Sequence, residues 1–125
     1  MKVLTKELSG LALNWAVAKA KGWKDYPEDC VEAGRFWHTQ PERAPFDPVI
    51  PKETWQPAYK WEHGGPIIER EVVQLEPHFT PEKGSYWAAW IKQQRNDGST
   101  PLIAAMRCFV ASKLAEEIDV PEELL

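Results

Sequence analysis

The chain has 125 residues and a formal net charge of −4, and it holds seven Trp and eleven Pro. That length fits one domain, residues 1–125, which can bury roughly two thirds of its unfolded surface. An apolar content of 43% with 27% charge excludes wholesale disorder. The Pro excess excludes long regular elements throughout, and the negative charge gives no general attraction to nucleic-acid backbones.

The first segment, MKVLTKELSG, has no apolar run behind Lys2 and Lys6, so no signal peptide is predicted. A helix is predicted over Lys6–Ala20, with Thr5 as its cap and Gly22 as its C′ residue. Leu4, Leu8, Leu11, Trp15 and Ala18 recur at steps of four and three and share one face. Gly10 is costly inside such a helix, unless the true start follows Ser9.

From Trp23 to Pro66 the composition changes. Seven of the eleven Pro and four of the seven Trp fall here. A flexible tether would be polar, so this aromatic-rich stretch is expected to be an ordered excursion packed onto the domain. A short helix over Pro27–Phe36 is compatible with it.

Gly64-Gly65-Pro66 reads as a turn, and Pro66–Leu75 after it reads as a strand on the strength of Ile67, Ile68, Val72 and Val73. The doublets break strict alternation, which suggests a bulge. Tyr86–Lys92 is read as a strand pairing with Ile67–Leu75, a helix being the alternative. Asn96-Asp97-Gly98 then reads as a plain turn. Thr100 as N-cap and Pro101 at N1 open the clearest helix, which runs to about Glu117 and is apolar nearly all round, hence central. The acidic end, EEIDVPEELL, is a solvated terminus or a docking tail.

The polar residues offer few sites. Arg107 has apolar helical neighbours, so it must reach water or a partner. Glu69 and Glu71 are the expected partners in a structural ion pair, and anion binding by Arg107 is the functional alternative. His63-Gly64-Gly65 is a weak anion-nest candidate. His38, His63, His78, Cys30 and Cys108 show no metal-ligand spacing, so no metal or cofactor is expected. No GxSxG or P-loop pattern occurs, and no catalytic residues emerge. The loop aromatics Trp23, Trp37, Trp55 and Trp61 are either lids on the core or a partner-binding patch.

Leu8-Ser9-Gly10, Trp15-Ala16-Val17-Ala18, Gly65-Pro66-Ile67-Ile68-Glu69 and Ala104-Ala105-Met106-Arg107 together resemble a family of small tailed-phage and prophage proteins that includes the NinX-type proteins. The resemblance covers both ends and the centre of the chain, with Trp23–Tyr59 the more idiosyncratic part. It implies a phage or prophage origin and a bacterial cytoplasm. It carries over no catalytic residues, because the family has no established biochemical function.

These readings combine into one α+β domain: two main helices packed on a small antiparallel sheet, with a long Pro/Trp-rich loop excursion. The expected function is a non-enzymatic accessory protein that binds a host or phage protein, or a second copy of itself, through loop aromatics or the acidic tail. The alternative is a small anion- or small-molecule-binding enzyme domain using Arg107 with Glu69 and Glu71. Neither nucleic acid nor membrane is an expected partner.

Overall fold

The computed structural model describes residues 1–26, 35–40 and 49–125. In chain order the elements are β1 (Lys2–Leu4), a 3₁₀ turn (Thr5–Glu7), α1 (Gly10–Ala20), β2 (Lys24–Tyr26), β3 (Phe36–His38), β4 (Val49–Pro51), α2 (Trp61–Glu71), β5 (Gln74–Thr80), β6 (Gly84–Ile91), β7 (Gln94–Gly98), α3 (Pro101–Lys113), β8 (Glu117–Asp119) and a 3₁₀ turn (Glu122–Leu124). The class is α+β as expected. The described residues form three helices and three small antiparallel sheets, rather than two helices on one sheet. The predicted helix over Pro27–Phe36, and Cys30 with it, lies largely outside the described residues.

α3 is the centre. Thr100 Oγ1 accepts from Ile103 N at 3.1 Å and Pro101 occupies the first turn, as its sequence requires. Leu102–Met106 and Cys108–Ala111 are all buried. The helix packs on α1, α2, β6, β7 and the first 3₁₀ turn. It stops at Lys113, short of the expected Glu117, because Glu117–Asp119 pairs with β1 instead. That ribbon ties down the acidic end: its carboxylates face solvent while Val120 is buried, and Val120 N donates to Met1 O at 2.8 Å.

The first helix is shorter than predicted. It begins at Gly10, whose amide donates to Tyr59 Oη at 2.6 Å. Thr5 is not its cap. Thr5 is buried, and its Oγ1 donates to Ala115 O at 2.7 Å, which anchors the turn before α1 to the chain after α3.

The Pro/Trp-rich excursion contributes a sheet of order β2-β3-β4. Trp37 of β3 is 3% exposed and enters the core beside α1 residues. Lys52 and Lys19 place their ammonium groups 4.1 and 5.5 Å from its ring centroid.

Of the segment read as a turn at Gly64–Pro66 and a strand over Pro66–Leu75, Gly64–Glu71 is helical and only Gln74–Leu75 is strand. Gly64, Ile67, Ile68 and Glu71 follow the helical repeat, and Gly64 and Ile67 are buried toward Pro57 and α3. Of the β-branched doublets that suggested a strand, Ile67-Ile68 lies within this helix and Val72-Val73 follows its end. Pro66 sits in the exposed second turn. The helix ends in a Schellman motif: Val72 N donates to Glu69 O at 3.3 Å and Val73 N to Ile68 O at 3.0 Å. Val72 holds φ +53° there and is 82% exposed. A β-branched residue pays for that left-handed backbone without any packing return. Val72→Gly is therefore expected to stabilise the protein by about 0.5–1 kcal/mol, after allowing for the freer unfolded chain. A urea midpoint that fails to rise would contradict this.

Tyr86–Ile91 is extended, as read, and lies at the centre of the β5-β6-β7 meander. Its partner is Gln74–Thr80, with Leu75 opposite Ala89 and His78 opposite Tyr86. Asn96-Asp97-Gly98 is not a turn but part of the edge strand β7. The turn comes earlier, at Lys92–Gln93, where Lys92 takes φ +55°. Gly98 is required at that edge by contact with α3: a Cβ there would lie 2.5 Å from Ala104 N and 2.9 Å from Ile103 Cγ2.

Candidate anion-binding cleft

Leu8 leaves the 3₁₀ turn with an extended backbone, and its carbonyl does not enter α1. Asp97 lies on the free edge of β7, where carbonyls lack a neighbouring strand. Arg107, two turns into α3, satisfies both. Its Nε donates to Leu8 O at 2.8 Å and its Nη1 to Asp97 O at 2.9 Å. Cys108 does the same for Gln94 O through its Sγ, at 3.2 Å. Burial pushes that thiol up to about 11, so Cys108 is a packed hydrophobe rather than a nucleophile.

The expected ion pair of Arg107 with Glu69 and Glu71 is corrected by these contacts. Glu69 is exposed on α2 and Glu71 pairs with Lys113 Nζ at 2.9 Å. Arg107 is bound to two backbone carbonyls, which a sequence does not advertise as acceptors. Burial lowers its pKa, with Tyr59 and Asp97 acting in the opposite direction, and an arginine stays charged throughout.

Arg107 also faces a cleft of about 510 Å³. Lys6 of the 3₁₀ turn, Lys83 of the β5–β6 turn and Arg95 of β7 join it in the lining. Asp97 is the one acid there, and it is engaged by Arg95 Nε at 3.0 Å. Asn96 also lines the cleft and is 7% exposed. A second cleft of about 310 Å³ adjoins the first, sharing Lys6, Arg95 and Asn96. Four cations drawn from four separate segments repel one another. They meet here without a carboxylate in surplus, which is the arrangement an anion relieves.

Sequence reasoning singled out Arg107 but not Lys6, Lys83, Arg95 or Asn96. Lys6 and Lys83 are surface residues by any local criterion, and only the packing of the first 3₁₀ turn beside β7 brings them together.

The loop Trp residues are mostly lids. Trp37 and Trp55 are 3% and 6% exposed, and Trp23 is half-buried with its ring centroid 4.4 Å from that of Trp55. Trp61 alone of the four is exposed, at 55%. It neighbours Tyr59, also exposed, whose hydroxyl meets the start of α1 next to exposed Leu11. His63 is not part of an anion nest: its Nδ1 accepts from Gln56 N at 3.0 Å, and the two following glycines are helical. Among the described residues no group of three His, Cys, Asp or Glu side chains is placed to hold a metal ion. No described helix is long and apolar enough to cross a membrane.

The family model described as Bacteriophage P22, NinX matches residues 5–113 of the chain. That span contains every residue of the cleft. No curated protein matches the chain.

Proposed function

Because the chain belongs to the bacteriophage P22 NinX family, we propose that it is a phage-encoded, non-catalytic binding module whose ligand places an anionic group in the Lys6–Lys83–Arg95–Arg107 cleft. One observation carries this reading: four cationic side chains line a single cleft whose one carboxylate is already paired. Arg107 is pre-oriented by Leu8 O and Asp97 O, while its Nη2 has no partner among the described residues. A guanidinium fixed this way loses little entropy when it takes an oxyanion.

Inorganic phosphate tests this at constant ionic strength. Binding to the folded state alone raises stability by about 2.7 kcal/mol at one hundred times Kd. Wild type is expected to gain Tm with phosphate, and the Lys6→Ala/Lys83→Ala double variant to bind at least about tenfold more weakly. An equal gain in both proteins would reject the cleft as the site.

A second reading, a protein-binding face, is favoured by Trp61, Tyr59 and Leu11, which are 55%, 46% and 63% exposed. Trp and Tyr are the side chains most enriched at interface hot spots. The occupant we assign to this face is a second copy of the chain. Sedimentation should then show a concentration-dependent dimer that Trp61→Ala abolishes, and a monomer at every concentration would contradict it.

A further inference from the structure

We propose that the anion taken by the cleft is the phosphate monoester of a compact ligand bearing a flat aromatic ring, of which a mononucleotide is the simplest example. This rests on the anion-binding reading and adds the ligand class to it.

The size of the cleft is the first argument. At about 510 Å³ it far exceeds one phosphate group and falls among sites for small organic ligands. A ligand that fills it has a body as well as a charge.

The second argument is Tyr86, which lies in the lining among the cations. Its ring is braced by His78, with centroids 5.3 Å apart and planes 15° from parallel. His78 is not part of the lining, so the brace comes from outside the cleft. Lys83 Nζ stands 5.5 Å from the same centroid. An aromatic surface held in place beside a cation suits a ring joined to a phosphate: stacking takes the ring and the ammonium takes the anion.

Asn96 supplies the third. Its side-chain amide belongs to a residue 7% exposed that lies in the lining of the cleft. It offers both a donor and an acceptor, the complement of a heterocycle edge or of a phosphate oxygen.

Charge sets the upper bound on size. A phosphate monoester carries about −1.5 to −2 at neutral pH, which falls within the surplus of three cations that the lining holds. A polynucleotide would extend past the cleft onto a chain of net charge −4, and Glu116 already lines the adjoining cleft. The ligand is therefore compact, with its phosphate on Arg107 and the lysines and its ring on Tyr86.

Calorimetric titration of the full chain tests this with three probes at fixed ionic strength: inorganic phosphate, adenosine and adenosine 5′-monophosphate. The monophosphate should bind about tenfold more tightly than phosphate, by the usual worth of one stacked base. Adenosine alone should bind more weakly than either. Tyr86→Leu should bring the monophosphate down to the level at which the same variant binds phosphate. If phosphate binds in a Lys6- and Lys83-dependent manner but the monophosphate is no tighter, the aromatic ligand is rejected and the anion cleft stands. If neither binds, both are rejected. A gain from the base that survives Tyr86→Leu overturns the role of Tyr86, and a single-stranded oligothymidylate that outcompetes the monophosphate overturns the compact ligand. The comparison of probes uses wild type alone, so it does not depend on the variant folding.

Discussion

Gly98→Ala should cost the protein at least about 3 kcal/mol, the upper part of the range for overpacked sites. The added methyl would sit 2.5 Å from Ala104 N, 2.9 Å from Ile103 Cγ2 and 3.0 Å from Ala104 Cα. Two of those three atoms are backbone of α3, at a turn pinned by Thr100 and Pro101. They have no rotamer to change, so strand and helix must separate. Since domains of this size are stable by only about 5–15 kcal/mol, the loss is a large share of the total. Gly64→Ala should behave alike, because its Cβ would meet the Pro57 carbonyl oxygen and Leu102 Cδ2. Gly65→Ala is the control: that glycine is helical with nothing within 4 Å of an added Cβ, and alanine there should gain up to about 1 kcal/mol. Urea denaturation of the three variants checks the account. Equal midpoints for Gly98→Ala and Gly65→Ala would show that the β7–α3 contact is looser than described.

Arg107→Ala should cost about 2–4 kcal/mol, from two backbone carbonyls left without their charged donor. Leu8 O and Asp97 O both lose their donor, and β7 keeps only the weaker Cys108 Sγ to Gln94 O hydrogen bond to the helix. Arg107→Lys should recover only part, because one ammonium cannot reproduce two divergent donors of a planar fork. The effect should be additive with Glu69→Ala and Glu71→Ala, since neither carboxylate contacts the guanidinium and Glu71 is held by Lys113. Chemical denaturation of the single and double variants measures this. A coupling of 1 kcal/mol or more between Arg107 and either glutamate would restore the ion pair that apolar surroundings suggest from sequence.

The parts of this fold that could be read beforehand are those decided by local rules. Thr100-Pro101 followed by an apolar run gives α3, and its lack of a polar face gives its central place. Tyr86–Ile91 gives β6 by its β-forming side chains. α2 escaped because Ile67, Ile68, Val72 and Val73 carry strand propensity, and because Gly64-Gly65-Pro66 carries the chemistry of a turn. Packing overrode both: Gly64 lets the helix close on Pro57 and Leu102, a contact whose partners lie 7 and 38 residues away along the chain. β7 escaped in the same way, since Asn96-Asp97-Gly98 is turn-like until α3 demands a residue without a side chain at 98.

The site divides along the same line. Arg107 stood out because a guanidinium amid Ile103, Ala104, Val110 and Ala111 needs an explanation. Its acceptors were not legible, because carbonyls of Leu8 and Asp97 have no residue-type signature. The other cations were invisible for a different reason. Lys6 and Lys83 become neighbours of one cleft only through the docking of the first 3₁₀ turn near β7, a long-range consequence of the Thr5 anchor to Ala115. The aromatic excess told less about function than it promised: Trp37 and Trp55 are core, Trp23 is half-buried, and of the loop group Trp61 is the exposed one.

The central claim is that the cations around Arg107 form an anion site. Nuclear magnetic resonance titration of the ¹⁵N-labelled chain with inorganic phosphate, at constant ionic strength, tests it at the level of residues. The expected result is saturable shifts confined to the amides of Lys6, Ser85, Asn96, Asp97 and Ser99, with the Asn96 side-chain NH₂ and the Arg107 Nε–H moving along the same isotherm. Shifts spread evenly over surface lysines, or a saturable response centred elsewhere on the molecule, would contradict it.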